Sequence, residues 1–226
     1  MHERTMLRWG GTAAILGGVL AVGVNALHPR FSDYSTLEII TEVATNGLWT
    51  GVHVGLAVAT VLLAIGIAAF TRTLSGDRAA TIGEIARWGV VVGAGLGVAT
   101  GALDGGALRA AAEAWSAAGS APSGPELAAA NVLVAASDAI FSLFVMIFLG
   151  LAPLAAGYAS TRSAAYPAWL GWGAVVGGAG GAVSGLIQAF TGIGSGTIIA
   201  ITVFSGLLTV WAIAAGFLMW RREEER

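Results

Sequence analysis

The sequence predicts an all-α integral membrane protein, a six-transmembrane-helix bundle with both termini in the cytoplasm. Three observations lead there. Of 226 residues, 56% are hydrophobic and only 11% are charged, against about 25% charged in an average soluble domain. Mean hydropathy is +0.80. Six separate stretches also hold the ~20 mostly apolar residues that a membrane-crossing helix requires.

The spans run Met6–Leu27, Leu48–Phe70, Trp88–Leu108, Leu127–Gly157, Trp169–Phe190 and Thr197–Trp220. The first has the look of a secretory leader, with Arg4 and Arg8 before an apolar run and Val24-Asn25-Ala26 after it. Its apolar run from Trp9 is longer than most leader cores, so it is read as a retained span. Between spans one and two, Ser35-Thr36-Leu37-Glu38 is a capping-box pattern. Leu37, Ile40, Val43 and Ala44 then share one face until Asn46-Gly47, which predicts a short amphipathic helix on the outer interface. The fourth span carries Asp138 near its start and Pro153 near its end, which blurs its boundaries. The one linker-like stretch, Gly119 to Pro125, is too short to divide domains, so residues 1–226 are read as a single domain.

Orientation follows the arginines, because cytoplasmic loops carry the basic excess. Nine of the eleven basic residues, Arg4, Arg8, Arg72, Arg78, Arg87, Arg162, Arg221, Arg222 and Arg226, fall on one side. Only Arg30 and Arg109 fall on the other, among Asp33, Glu38, Glu42, Glu113 and Glu126. This predicts a multi-pass protein of the cytoplasmic (inner) membrane, with the lipid bilayer as its first partner. All eleven basic residues are Arg, so a lysine Schiff base is excluded. There is no Cys, hence no disulfide and no thiolate site. A net charge of -2 offers no footprint for nucleic acid. A homo-oligomer or a partner membrane subunit remains open.

Spans three and five align without a gap: WGVVVGAGLGVATGALD from Trp88 and WGAVVGGAGGAVSGLIQ from Trp172. Span one fits more loosely, placing Asn25 where Asp104 and Gln188 fall. The implied unit is a helical hairpin present three times, an internal repeat. Glycines spaced by four, Gly89 to Gly105 and Gly173 to Gly185, predict glycine-zipper grooves into which a neighbouring backbone presses. The mitochondrial carriers share this plan of three hairpins. Their Pro-x-acidic-x-x-basic signature follows none of Asn25, Asp104 or Gln188, so their function is not carried over.

Polar groups inside a span are costly and mark function by default. Here they are Asn25, His53, Asp104, Asp138 and Gln188, with His28 and Asn131 at helix ends. Each of Asn25, Asp104 and Gln188 stands 16 residues beyond an inner-end Trp, or about 24 Å. His53 and Asp138 fall in the same outer third. Asn131, Asp138 and Ser142 share a helical face that should point inward. The layer reads as a shallow, outward-facing pocket for a small ligand, lipid headgroup or partner subunit, with Asp104 touching His53, Asn25 or Gln188. The simpler outcome is Asp104 paired with Arg109. No nucleophile–base pair is apparent. The alternative is a membrane enzyme or transporter using the same layer, with a metal held by His28, His53, Asp104 and Asp138, or a haem between the two histidines.

Overall fold

A computed structural model describes residues 2–224, so Arg226 lies outside the described residues. Among these, seven helices follow one another without a strand: α1 His2–Leu27, α2 Thr36–Thr45, α3 Trp49–Arg72, α4 Asp77–Ala117, α5 Pro125–Thr161, α6 Ala168–Thr191 and α7 Ser195–Glu224. All but α2 are long and apolar enough to cross a membrane. The protein is therefore a multi-pass, membrane-embedded helical bundle.

The middle helices exceed their predicted spans. Helix α4 has 41 residues and α5 has 37, about 60 and 55 Å at 1.5 Å per residue, against a hydrocarbon core of about 30 Å. Hydropathy falls at Arg109, but the Ala-rich run that follows is the best of helix formers and simply continues the helix. Each long helix contains a π segment, Leu103–Leu108 in α4 and Ile147–Leu151 in α5. The second has a local cause. Pro153 has no N–H to offer, and the Ala152 amide reaches back five residues to the Ile147 carbonyl.

The spanning helices form a closed ring in which each packs on its sequence neighbours and α7 returns to α1. The bundle centre is filled by Leu63, Ile67, Phe70, Phe148, Leu208 and Trp211. The outside is apolar too: Val19, Val58, Val92, Val176 and Val210 are all exposed, as suits a lipid solvent. Trp9, Trp88, Trp169, Trp172 and Trp220 stand exposed toward the end that carries the termini. There Trp220 Nε1 donates to Arg8 O at 3.0 Å, and the Thr73 hydroxyl meets Tyr166 OH at 2.6 Å.

At the opposite end, α2 differs from the expected interfacial helix. Its buried residues are Ile39, Ile40 and Val43, and they pack on Trp49, Leu108, Ala112, Trp115, Ala130 and Val134. The projecting ends of α4 and α5 thus give α2 a protein surface to cover, and Leu37 is left exposed. The capping box is half formed. Ser35 Oγ accepts the Glu38 amide at 3.2 Å, but the Ser35 amide goes to Asp33 Oδ1. The Glu38 carboxylate reaches further back, to the Ser32 amide at 2.7 Å, the Ser32 hydroxyl, and the amides of Asp33 and Tyr34.

The four-spaced glycines divide between two neighbours. A Cβ at Gly89 would lie 3.1 Å from Ala152 Cβ and one at Gly93 2.7 Å from Phe148 Cβ, both on α5. One at Gly105 would lie 2.8 Å from His53 Cβ on α3. Gly97 sits between, against Phe144 and Thr60. Four residues turn about 400°, so the stripe drifts about 40° per step and winds from one partner to the next. In α6, Gly177 likewise faces Leu208 of α7, whereas Gly181 meets the Leu149 carbonyl and Gly185 faces Met146 N of α5. A seven-residue spacing unremarked in the sequence also serves the α5–α6 contact: Gly150 and Gly157 lie against Ala182, Gly178 and Gly171.

Two outcomes follow from this packing. Gly93→Leu and Gly181→Leu should lower the detergent unfolding midpoint, overpacking costing about 1–3 kcal/mol or more. Gly95→Leu, where a Cβ meets nothing within 4 Å, should leave the midpoint nearly unchanged. Glu38 is pulled down to about 2 from the ordinary 4.5, first by the Ser32 amide and then by the Ser32 hydroxyl. Its ordering of residues 32–34 is complete above pH 4.5 and lost as pH falls toward 2. Amide NMR shifts of Ser32, Asp33 and Tyr34 should titrate together near pH 2, whereas a midpoint near 4.5 would mean a free carboxylate.

Candidate functional site

The site grows from the first turn of α3. Trp49 and His53 are four residues apart, so they stack on one face with ring centroids 4.4 Å apart. His53 Nδ1 meets the Trp49 carbonyl at 2.8 Å and must carry the proton there. His28, just past the end of α1, closes the cluster, its ring 5.2 Å from that of His53 and 5.7 Å from that of Trp49. His28 Nδ1 likewise meets the Pro29 carbonyl at 2.8 Å. Burial, outweighing that hydrogen bond, pushes His28 below the ordinary imidazole value of 6.5, which leaves it neutral at pH 7.

Facing this turn is the π segment of α4. The Trp49 indole N–H donates to the Asp104 carbonyl at 2.6 Å, and the Thr50 hydroxyl donates to the Gly105 carbonyl at 2.7 Å. The Arg109 amide, four residues beyond Gly105, bonds to Gly106 O instead. Helix α3 thus supplies donors to a stretch of α4 whose own ladder is out of step. These two bonds tie the first turn of α3 to the widened turn of α4.

The Asp104 side chain is positioned by that turn. Its Oδ1 accepts the Ser137 hydroxyl at 2.6 Å. Its Oδ2 lies 3.9 Å from His53 Nε2, with the carboxyl side chain 23% exposed. At that length there is no hydrogen bond. With Nδ1 protonated, a neutral His53 presents Nε2 as an acceptor, so when Asp104 is ionised two acceptors face each other with no donor between. Asp138 is half-buried beside Ser137 and within electrostatic reach of Asp104. Among the described residues it forms no ion pair.

The structure therefore brings together His28, His53, Asp104 and, at the edge, Asp138. It does not bring in the rest. Asn25 is exposed, its amide donating to Ala21 O of its own helix. Asn131 is exposed, because α5 turns Ala130, Val134, Ser137 and Ser142 inward. Gln188 is 2% exposed, and neither its Nε2 nor its Oε1 has a partner. The α5–α6 register puts Gly185 against Ser142 and Met146, so Gln188 lies about one helical turn deeper than Ser137. Arg109 is not the partner of Asp104: it pairs with Glu113 at 2.7 Å and donates to Val43 O and Asn46 O.

Trp49, Thr50 and Ser137 were not expected at the site. Trp49 has the marks of an interfacial aromatic and Ser137 those of a helix filler. The available signal was position, Trp49 one turn before His53 and Ser137 adjoining Asp138. Because Ser137 donates to a carboxylate rather than to an imidazole, the trio is not a nucleophile–base relay. No group of three or more His, Asp or Glu among the described residues is placed to hold a metal ion. No family model, curated protein or solved structure matches the chain.

If the donors of α3 hold the π segment, Trp49→Phe and Thr50→Val should each destabilise the protein by about 1–3 kcal/mol, the cost of an unmet buried acceptor. Trp88→Phe, at an exposed position, serves as the control. Thermal unfolding in one detergent compares them directly.

Proposed function

We propose that the protein is a non-catalytic membrane binding protein whose pocket, between α3, α4 and α5, takes a ligand bearing hydrogen-bond donors. The observation that carries this reading is the facing pair of acceptors, His53 Nε2 and Asp104 Oδ2, 3.9 Å apart. A single ammonium group placed between them donates to both. Asp138 adds a second carboxylate nearby, which favours a positively charged donor. The indole of Trp49, the hydroxyls of Thr50 and Ser137, and Nδ1 of both histidines are already engaged.

The arginine distribution supports an inner membrane with the termini in the cytoplasm, so the pocket opens outward. The matched sequences of spans three and five support a repeated hairpin as the origin of the bundle. Packing at Gly93, Gly97, Gly181 and Gly185 supports the zipper reading of those helices.

Native mass spectrometry of gently extracted protein tests the binding reading. The wild type should carry a small-molecule adduct that Asp104→Asn loses while remaining folded. An adduct unchanged in Asp104→Asn, or none in either protein, would refute the pocket.

A further inference from the structure

A groove that shares His53 with the site runs away from it down the bundle. Helices α3 and α4 leave between them a groove of about 430 Å³, lined by Ala57, Val58, Val61, Leu62 and Val98, with His53 at its upper end. Val54, Val58, Val61 and Val98 are 41–56% exposed, so the groove opens sideways to the lipid. Gly101 makes its upper wall shallow: a Cβ there would lie 3.2 Å from the His53 carbonyl and 3.4 Å from Ala57 Cβ. From His53 to Leu62 is nine residues, or about 14 Å, which is half the hydrocarbon core of about 30 Å. The groove is therefore one leaflet deep.

A one-leaflet apolar groove that begins at His53, itself 4% exposed and with Nε2 at 3.9 Å from Asp104 Oδ2 and in no hydrogen bond, fits an amphiphile rather than a soluble molecule. Asp104, whose Oδ2 lies 3.9 Å from His53 Nε2, selects the headgroup. Resting on the binding reading above, we infer that the ligand is a membrane lipid with a primary ammonium headgroup. One of its acyl chains lies in the α3–α4 groove, and its ammonium donates to His53 Nε2 and Asp104 Oδ2. A quaternary headgroup has the charge but no N–H, and an anionic one faces Asp104 and Asp138 unfavourably.

The full-length chain, in mixed micelles, would be titrated with phosphatidylethanolamine, phosphatidylcholine and phosphatidylglycerol and followed by native mass spectrometry. Phosphatidylethanolamine should bind at least about tenfold more tightly than either other lipid, since charged hydrogen bonds are worth that much or more. Asp104→Asn should remove the preference. Val58→Trp, which fills the groove from an exposed position, should weaken binding of the lipid. Val92→Trp, equally exposed and outside the groove lining, should not. Free ethanolamine is the separating probe. Asp104-dependent binding of ethanolamine that Val58→Trp leaves unchanged, without lipid selectivity, would overturn the lipid inference and keep the pocket. Equal retention of phosphatidylglycerol would overturn the headgroup assignment. Loss of all Asp104-dependent binding would overturn both.

Discussion

Two donors on one helical turn hold the polar end of this protein together. Trp49 and Thr50 give their side-chain protons to successive carbonyls of α4, at Asp104 and Gly105. A π segment inside a membrane-spanning helix leaves backbone groups out of the regular ladder, and lipid offers them nothing. Helix α3 supplies donors to two of its carbonyls. The widened turn points the Asp104 carboxylate at Ser137 on α5, and it places Gly105 against His53. The geometry of the candidate site is thus a consequence of backbone satisfaction.

Glycine placement makes that contact close enough to matter. A hydrogen-bonded interface between spanning helices needs backbones near each other, and small residues permit this. Because a four-residue spacing drifts around the helix, one stripe on α4 serves two partners in succession. Its first half seats α5 at Phe148 and Ala152, and its second half seats α3 at His53. Helix α4 therefore stands between the two elements that supply the site, which is how His53 and Ser137 come to flank one carboxylate.

The membrane class, the number of spans and most span ends were legible in the sequence, because hydropathy reports burial in lipid directly. The ends of α4 and α5 were not: Ala-rich and polar residues continue a helix without any apolar signal. Within the site, His53 and Asp104 were legible as costly intramembrane groups. Ser137 was not, since a hydroxyl that bonds its own helix and one that bonds a neighbour look identical in sequence. The inward face of α5 was legible in part. Of the face expected to point inward, Ser142 is buried and Asp138 half-buried, but Asn131 is exposed because the register presents Ala130, Val134 and Ser137 to the bundle. Gln188 kept its predicted burial without the predicted company, because α6 meets α5 about one turn below the level at which α4 does.

The distribution of polarity along the bundle separates binding from passage. A conducting or alternating pathway requires groups that can solvate its cargo at successive depths. Here the histidines and carboxylates within the bundle gather at the end away from the termini, and Gln188, one turn deeper, is enclosed with no partner. Beyond it the centre is filled by Leu63, Ile67, Phe70, Phe148, Leu208 and Trp211. A charge moved into that packed region would lose its hydration with no replacement. In the binding reading proposed above, a ligand held at Asp104 instead gains a paired charge at the membrane edge and can leave its apolar part in the α3–α4 groove. The same asymmetry that argues against a path through the protein gives an amphiphile one stable orientation on it.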